Sequence, residues 1–309
     1  MSFLGKKWII RNPDQNKDPL TKILENREVE NIEDGAVLHD PFLFEDMKKA
    51  VERVKNAIQK QERIIVLGDY DVDGISGATI LITTLRKMGA NVSYRLPHRV
   101  NDGYGLSGKF IDEFIEKNVN LLITVDCGIS SNKEIKKAKE NGIDVIITDH
   151  HTIPIDQTTD TVAILHPQKK DSKYPYKDLT GAGVALKFAQ ALMIDEHGEN
   201  FNSEEFDELV ALASLGTIAD LGPLKGENRW IVKKGLKNLL NTKSRGLKKL
   251  IELAGKKEQE IIDSYTIGFR IAPRINAAGR IGDPYLALSL LLQGEDSEKV
   301  DGLGQQLEN

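Results

Sequence analysis

The stretch "RIIVLGDYDVDGIS" at residues 63–76 begins with an apolar run and then places three aspartates at alternate positions. The run is rich in β-branched residues and ends in glycine, which is typical of a buried strand followed by a turn. Asp69, Asp71 and Asp73 therefore follow the end of a predicted strand. Like charges at this spacing repel each other, so the stretch indicates either a solvated turn or a site for something positive.

Apolar runs of the same kind recur along the chain, at residues 91–96, 120–126, 144–149 and 161–167. Helical patterns lie before and between them, at residues 41–62, 75–89, 107–118 and 131–141. Strands that alternate with helices predict a parallel sheet with helices on both faces, because each crossover is a helix. Beyond residue 180 most segments have a helical pattern. The predicted fold class is α/β, followed by a mainly helical segment.

The composition is that of an ordinary soluble protein, with 309 residues, 40% hydrophobic and 29% charged. A formal net charge of −5 gives no global attraction to nucleic acid or anionic membrane, so a phosphate-bearing partner needs a local basic surface or a metal. The single cysteine, Cys127, excludes an internal disulfide and a cysteine-rich zinc site. No apolar run approaches the roughly 20 residues of a membrane span, and no signal peptide is evident, so we expect a cytoplasmic protein without a membrane partner.

Acidic residues and imidazoles recur where the predicted strands end. Asp126 ends the third strand, and Asp149, His150 and His151 end the fourth. In an open parallel sheet, ligands bind in the crevice outside the carboxyl ends of the strands, so we expect these groups to meet the aspartates of the first strand. Asp220 follows a long apolar helical stretch, before a Gly-Pro break where the chain can return to the same crevice.

Carboxylates that converge in a cleft cannot all stay ionised unless cations compensate them. Oxygen ligands with one or two imidazoles suit Mn²⁺ or Mg²⁺ better than zinc or iron, and two such ions form a clamp used for phosphoryl hydrolysis. Taken singly, each motif also has a plainer interpretation, as an aspartate-rich turn or as a solvated pair of histidines. The convergence of three strand ends favours the metal site.

The motifs "GDYDVDGISG", "TVDCGIS", "TDHH" and "GTIAD", in this order, resemble the four motifs of the DHH phosphoesterase superfamily. Three segments narrow the resemblance to the RecJ-type single-strand-specific exonucleases, namely "YRLPHRVNDGYGLS" (94–107), "GAGVALKF" (181–188) and "IAPRINAAGRIGDP" (271–284). Residues 1–43 are mixed and poorly periodic, which predicts an N-terminal extension. The resemblance runs from about residue 40 to the end and implies a DHH phosphoesterase catalytic domain over 44–285, with its α/β part reaching about residue 179. Residues 286–309 would begin a helix leading to a C-terminal domain that this sequence does not contain.

The resemblance implies a two-metal hydrolase that degrades single-stranded DNA from the 5′ end to mononucleotides, in DNA repair and recombination. Its two Mn²⁺ or Mg²⁺ ions would be held by Asp69, Asp71, Asp73, Asp126, His150 and Asp220, and one of the two sites could bind its ion weakly. Asp126 would bridge the ions, His151 would face the scissile phosphate, and Asp149 would orient its neighbours. Leu67 stands where many members of the superfamily have a histidine, so one metal site is expected to be poor in ligands or to use Asp69.

Basic and glycine-rich segments supply candidates for substrate binding. Arg99 can bind a phosphate through two N–H groups of its guanidinium. Ser107 stands at a predicted helix start, where main-chain N–H groups are free. The resemblance implies that Arg99 and Arg280 hold phosphates near the scissile bond, with Asn276 close to Arg280 in sequence. Tyr104 can stack a base or can simply pack against the protein.

Two other functions remain open from the sequence. A small-molecule or oligonucleotide phosphodiesterase or pyrophosphatase would use the same four motifs, although segments 94–107 and 271–284 favour the RecJ type. A non-catalytic DHH-like scaffold for DNA or replication proteins would have a degenerate centre, and the intact aspartates argue against it. The expected partners are single-stranded DNA and a single-strand-binding protein or a helicase, while the sequence does not indicate an oligomeric state.

Overall fold

The structure is a computed structural model that describes residues 5, 9, 12–27, 36–99, 102–156, 160–170, 172–198, 201–256, 260–294 and 298–308. Within these residues five strands form one sheet: β1 (Ile64–Gly68), β2 (Val92–Arg95), β3 (Leu121–Val125), β4 (Asp144–Thr148) and β5 (Ala163–Leu165). Their order is β2-β1-β3-β4-β5, and every pairing is parallel. The predicted parallel sheet is confirmed.

The helices of the first half are α1 (Pro19–Asn26), α2 (Met47–Gln59), α3 (Val72–Lys87), α4 (Gly108–Glu116) and α5 (Asn132–Glu140). The helix predicted over residues 41–62 is shorter, because a 3₁₀ turn at Pro41–Leu43 ends in the extended backbone of Phe44 before α2 begins. Parts of the predicted N-terminal extension lie outside the described residues, namely 1–4, 6–8, 10–11 and 28–35.

The sheet is buried on both faces, which explains why its strands are apolar without alternation. Ile64 and Val66 of β1 belong to a core that includes α2, α3 and the helical half of the chain. Ile65 and Leu67 belong to a second core beneath α4 and α5. The period of two along β1 thus separates the two layers of helices.

The helical half contains α6 (Gly181–His197), α7 (Ser203–Ala219), α8 (Gly226–Leu239), α9 (Arg245–Leu253), α10 (Ser264–Thr266), a π-helical segment (Ile267–Ile271), α11 (Ala272–Ile281), α12 (Pro284–Leu291) and α13 (Val300–Glu308). Most residues of α6 and α7 are buried, since these helices pack on each other, on α3 and, for α7, on α8. The mainly helical character predicted for this half is confirmed. None of the helices in the described ranges is long and apolar enough to cross a membrane.

The strand order places a crevice at the carboxyl ends of β1 and β3. The chain moves from β1 to β2 on one side and then returns to β3 on the other, so connections leave these two strands in opposite directions. The N-termini of α3 and α6 close the crevice. Glycine is required at the start of α6, because a Cβ on Gly181 would lie 2.5 Å from Cβ of Asp126.

Candidate metal centre

The aspartates after β1 occupy three different environments. Asp69 continues the strand, donating its main-chain N–H to the carbonyl of Val125 at 3.2 Å. Asp71 caps α3 by accepting the N–H of Gly74 at 3.0 Å, as an N-cap aspartate should. Asp73 lies in the first turn of α3 and is 1% exposed. The helix terminus therefore offsets part of the repulsion that the sequence implies.

Asp73 is also bound by the start of α6. Its carboxylate accepts the N–H groups of Gly181 at 2.6 Å and Ala182 at 3.0 Å. Gly216 of α7 lies against the same carboxylate and leaves no room for a side chain. The small residues of the "GAG" and "LGT" segments thus allow three helices to meet around one buried carboxylate.

Asp126 and the Asp149–His150–His151 turn lie at the ends of neighbouring strands. Asp126 has a φ of 60° and donates its N–H to the carbonyl of Thr148 at 2.9 Å. The carboxylate of Asp149 accepts the N–H groups of His150 at 2.7 Å and His151 at 3.0 Å. A positive φ at a non-glycine residue is strained, so the surrounding structure must impose this conformation on Asp126.

The imidazole of His150 stands at the meeting point of the carboxylates. Its Nε2 lies 3.1 Å from Oδ1 of Asp126, 3.8 Å from Oδ2 of Asp73 and 3.7 Å from Oδ2 of Asp220. Three groups of side chains have ligand atoms within 4.8 Å of one another: Asp126, His150 and His151; Asp73, His150 and Asp220; Asp69, Asp71 and Asp126. The structure brings together all six side chains that the resemblance implied as ligands, together with His151.

Burial dominates the electrostatics of this cluster. It raises the pKa of Asp69 to about 7 and that of Asp73 to about 8, and neighbouring carboxylates add to both shifts. The pKa of Asp126 is raised well above its usual range for the same two reasons. Burial also raises the pKa of Asp220 to about 6. The cluster is therefore unfavourable in its fully ionised form unless cations are present.

The donor atoms of the cluster fit divalent cations. Within the described part of the chain, Oδ1 of Asp69, Oδ1 of Asp126 and Nε2 of His150 are buried without a hydrogen-bond partner. Burial lowers the pKa of His150 to about 4, so its ring is neutral and has a lone pair to offer. Carboxylate oxygens with one imidazole are a donor set that suits Mn²⁺ or Mg²⁺.

His151 is held by Asp149 and touches Tyr104. The hydrogen bond between its Nδ1 and Oδ1 of Asp149, 2.8 Å long, raises the pKa of His151. Burial would raise the pKa of Asp149, but the hydrogen bonds that it accepts hold that pKa below its usual range. Tyr104 donates its hydroxyl to the carbonyl of Asp126 at 3.1 Å and lies 3.2 Å from Nε2 of His151. Tyr104 therefore contacts the centre itself.

A further histidine, which was not among the predicted site residues, supports the turn. His166 follows β5 and is 1% exposed. Its Nδ1 accepts the N–H of Gln168 at 3.0 Å, so its Nε2 carries the proton and donates to the carbonyl of His151 at 2.8 Å. In the sequence, His166 ends the apolar run that follows the Asp149 strand. A histidine at the carboxyl end of a strand in this sheet indicates a residue close to the site.

Two of the predicted substrate-binding residues, Arg99 and Arg280, interact with Tyr70, which lies between Asp69 and Asp71. The Arg99 guanidinium is 5.6 Å from the centroid of the Tyr70 ring. Burial raises the pKa of the Tyr70 hydroxyl, and the charges of Arg99 and Arg280 oppose that shift. Both predicted arginines therefore interact electrostatically with Tyr70 of the first motif.

Ser107 and Asn276 have less defined surroundings. Ser107 is the N-cap residue that precedes α4, and its Oγ is buried without a partner among the described residues. Asn276 is half-buried on α11, one turn before Arg280. Arg274, in contrast, is bound by Glu308 through hydrogen bonds of 2.7 and 3.0 Å, which makes it a structural ion pair. Val100 and Asn101, in the same predicted segment as Arg99, lie outside the described residues.

The model of the DHH family, N-terminal domain, matches residues 63–217. The chain belongs to the DHH family. Single-stranded-DNA-specific exonuclease RecJ of Bacillus subtilis (strain 168) is 40% identical over 321 residues, a match that covers 98% of this chain and 39% of the relative. The protein of the same description from Escherichia coli (strain K12) is 38% identical over 254 residues, covering 80% of this chain and 44% of the relative. This DHH-family chain thus spans less than half the length of these relatives.

Two solved structures are also similar. A crystal structure of exonuclease RecJ bound to manganese has a TM-score of 0.77 and 36% identity, covering 88% of this chain and 66% of that one. RecJ from Thermus thermophilus in complex with Mn²⁺ has a TM-score of 0.77 and 34% identity, covering 92% of this chain and 40% of that one. The resemblance to DHH proteins of the RecJ type is confirmed.

Proposed function

We propose that this chain hydrolyses phosphodiester bonds with the help of Mn²⁺ or Mg²⁺ and acts as a 5′→3′ exonuclease on single-stranded DNA, releasing mononucleotides. The observation that supports this function best is the pair Asp126 Oδ1 and His150 Nε2. These two atoms are buried and lack a hydrogen-bond partner among the described residues, and they lie where the other carboxylates converge. The relatives described as single-stranded-DNA-specific exonucleases support the same substrate.

In this proposal two ions occupy neighbouring groups of ligands. Asp69, Asp71 and Asp126 would hold one ion, and Asp73, His150 and Asp220 the other, with Asp126 between them. Similar structures contain Mn²⁺ or Mg²⁺, which supports these metals. When bound, such ions supply an activated water and positive charge next to the phosphate. Leu67 is buried in the apolar layer and offers no ligand, so in this proposal Asp69 would supply one.

The chain's own side chains would orient the phosphate. The protonated form of His151, favoured by Asp149, would donate a hydrogen bond to an oxygen of the scissile phosphate. Tyr104 limits the rotation of His151 through its hydroxyl. Arg99 and Arg280 would bind the phosphate at the 5′ end of the strand.

Ser107 and Asn276 complete the predicted substrate-binding set at the start of α4 and on α11. A role in DNA repair and recombination, a cytoplasmic location and a single-strand-binding protein or helicase as partner belong to the same proposal. The division of the chain into an extension, a catalytic domain over residues 44–285 and a connecting helix stays a prediction.

The test is the release of nucleotides from an oligonucleotide of single-stranded DNA labelled at its 3′ end. We expect mononucleotides and progressively shorter labelled strands in Mn²⁺, no such products in EDTA, and about 10³-fold slower release with Asp126→Asn. Cleavage of a dinucleotide without cleavage of the oligonucleotide would indicate the small-molecule phosphodiesterase instead. Equal activity of the Asp126→Asn variant, or activity in EDTA, would contradict the proposed centre.

A further inference from the structure

Two aromatic side chains stack on each other at the surface of the helical half. The ring centroids of Tyr265 and Phe269 are 4.7 Å apart, with an interplanar angle of 23°. Tyr265 is 58% exposed and Phe269 is 70% exposed. Rings of this size gain free energy when they leave water, and core packing does not explain why this pair stays at the surface.

The aromatic pair belongs to a continuous helical run from Ser264 to Ile281, which comprises α10, the π-helical segment and α11. Tyr265 lies in α10, and Phe269 lies in the π-helical segment. A π-helical turn inside a helix is rare and is often found at functional sites. The local distortion therefore coincides with the exposed rings.

One face of this run packs along the crevice. A Cβ on Gly268 would lie 3.9 Å from Cγ2 of Ile218, which is two residues before Asp220. A Cβ on Gly279 would lie 2.5 Å from the carbonyl oxygen of Tyr70. The run therefore extends from the neighbourhood of Asp220 to the first motif, beside the candidate metal centre.

A second flank of the run is occupied by structural contacts. Arg270 donates to the carbonyl of Ala254 at the end of α9, at 3.2 Å. Arg274 pairs with Glu308 of α13. Neither of these two arginines is available as a main contact for a phosphate backbone beside the aromatic pair.

The aromatic pair shares the remaining flank with two of the predicted substrate-binding residues. Phe269, Asn276 and Arg280 follow one another at intervals of seven and four residues, which would place their side chains on one side of a regular α-helix; Asn276 and Arg280 lie in α11, and Phe269 lies in the short π-helical segment that continues into it. At a rise of about 1.5 Å per residue, Phe269 is about 16 Å along the axis from Arg280. A strand held at its 5′ phosphate by Arg280 would reach the rings after several nucleotides.

We propose that Tyr265 and Phe269 form a platform on which bases of the single strand stack, on the 3′ side of the scissile phosphate; this inference rests on the proposed function. Every base has a flat π-face, so stacking on aromatic rings binds single strands without sequence preference. The chain has a net charge of −5 and so no global attraction to phosphates, and contacts to bases do not depend on such an attraction. Continuity with Arg280 favours nucleic acid over a protein partner.

The test measures binding without hydrolysis. Fluorescence anisotropy in EDTA would follow a 3′-labelled oligothymidylate of about 12 nucleotides, within the roughly 4–16 nucleotides of known single-strand sites. We expect the double variant Tyr265→Leu and Phe269→Leu to bind about 5- to 30-fold more weakly, because leucine keeps the apolar volume and loses the ring. Phe269→Trp should bind at least as tightly as the unmutated chain. Leu240→Ala removes an exposed apolar side chain at the end of α8 and is the matched control.

A strand with abasic residues in place of its internal bases makes the test specific. The unmutated chain should bind the abasic strand more weakly than the normal strand. The factor should equal the one by which the double leucine substitution weakens binding to the normal strand. The double leucine variant should bind both strands with the same affinity. The platform would be overturned if the double leucine substitution weakened binding to the normal and the abasic strand by the same factor. It would also be overturned if the unmutated chain showed no measurable binding.

Hydrolysis of a 5′-phosphorylated dinucleotide in Mn²⁺ separates this proposal from the proposed function. The dinucleotide is too short to reach the rings, so the double leucine variant should hydrolyse it at the unmutated rate. Loss of dinucleotide hydrolysis only in the variant would show that the substitutions disturb the centre, which would overturn the platform. No dinucleotide hydrolysis by either chain would contradict the proposed function, while the anisotropy result would still decide the platform.

Discussion

Two buried clusters of charged side chains, one at Lys187 within α6 and one at the N-terminus of α6, differ in how their charges are balanced. In one, Lys187 and Glu227 are both 0% exposed and their Nζ and Oε1 atoms are 3.1 Å apart. Tyr174 donates to the other oxygen of Glu227 at 2.6 Å, and the main chain of His39 bonds both charged side chains. In the other, around Asp126, the ion-pair contacts of the carboxylates among the described residues are to the imidazoles of His150 and His151 and not to a lysine or arginine.

The two clusters show how buried charges that stabilise the fold differ from buried charges that bind a ligand. Burial lowers the pKa of Lys187, and Glu227 opposes that shift, so the pair compensates itself. In the acidic cluster burial raises the pKa of Asp73 and Asp126, and their neighbours add to the shift. A buried charge that finds its counter-charge within the fold supports structure, and one that does not indicates a ligand from outside.

The largest effect should come from Asp126→Asn. This residue belongs to two of the groups of potential ligands, so the substitution should lower nuclease activity in Mn²⁺ by about 10³-fold, the upper range for one electrostatic contact. Without metal the same variant should unfold at a higher temperature, because a repelling buried carboxylate is removed. Thermal unfolding in EDTA and nucleotide release in Mn²⁺ measure the two effects. A variant that loses stability in EDTA would show that Asp126 is a structural residue.

Glu227→Gln should have the opposite effects: lower stability and unchanged activity. It leaves Lys187 charged and buried without a counter-charge, which should lower the free energy of unfolding by about 3–5 kcal/mol in a urea titration. The rate per folded molecule should not change, because neither side chain touches the centre. Adding Lys187→Met to this variant should restore much of the lost stability. No recovery in the double variant would contradict the self-compensated pair.

The metal-free chain should become less stable as the pH rises from about 4 to about 8. The pKa values of Asp220 (about 6), Asp69 (about 7) and Asp73 (about 8) lie above those of the unfolded chain, so the folded state binds more protons in this range. Each pKa unit corresponds to about 1.4 kcal/mol, and because the groups are coupled the loss should be smaller than the sum of the three separate shifts. His150, whose pKa is lowered from 6.5 to about 4, should offset part of the loss at the acidic end of this range. Urea titrations in EDTA at a series of pH values measure it. Mn²⁺ should flatten the dependence, and an equal slope with Mn²⁺ would argue against metal binding at these residues.

His166→Ala should have the smallest of these effects on activity. It removes the hydrogen bond to the carbonyl of His151, and loss of a group that orients a metal-site histidine lowers activity by about 10-fold or somewhat more. His166→Asn, which keeps a donor, should recover part of the activity, as a purely space-filling role would not allow. The measurement is kcat at saturating DNA and Mn²⁺. Equal kcat values for the two variants would show that His166 does not position the turn through its hydrogen bond.

Much of the fold follows from local patterns. The β-branched runs predict the strands because strands buried on both faces are continuously apolar, and the period of the helices between them predicts the crossovers. The predicted start of α2 is wrong, since Pro41–Leu43, capped by Asp40, form a separate 3₁₀ turn that an apolar pattern does not distinguish from a helix. The candidate ligands could be found because the carboxyl ends of parallel strands meet at one edge.

The amino-acid sequence by itself determined which elements form and which side chains stand at the ends of β1, β3 and β4, because period and turn chemistry are local properties of the chain. Only the tertiary structure decided that His150 lies between Asp126 and Asp220, that His166 holds the carbonyl of His151, and that Tyr265 and Phe269 stack in solvent. These contacts join residues that are distant in sequence or depend on what their neighbours leave exposed. Such distances arise from packing, which no local pattern contains.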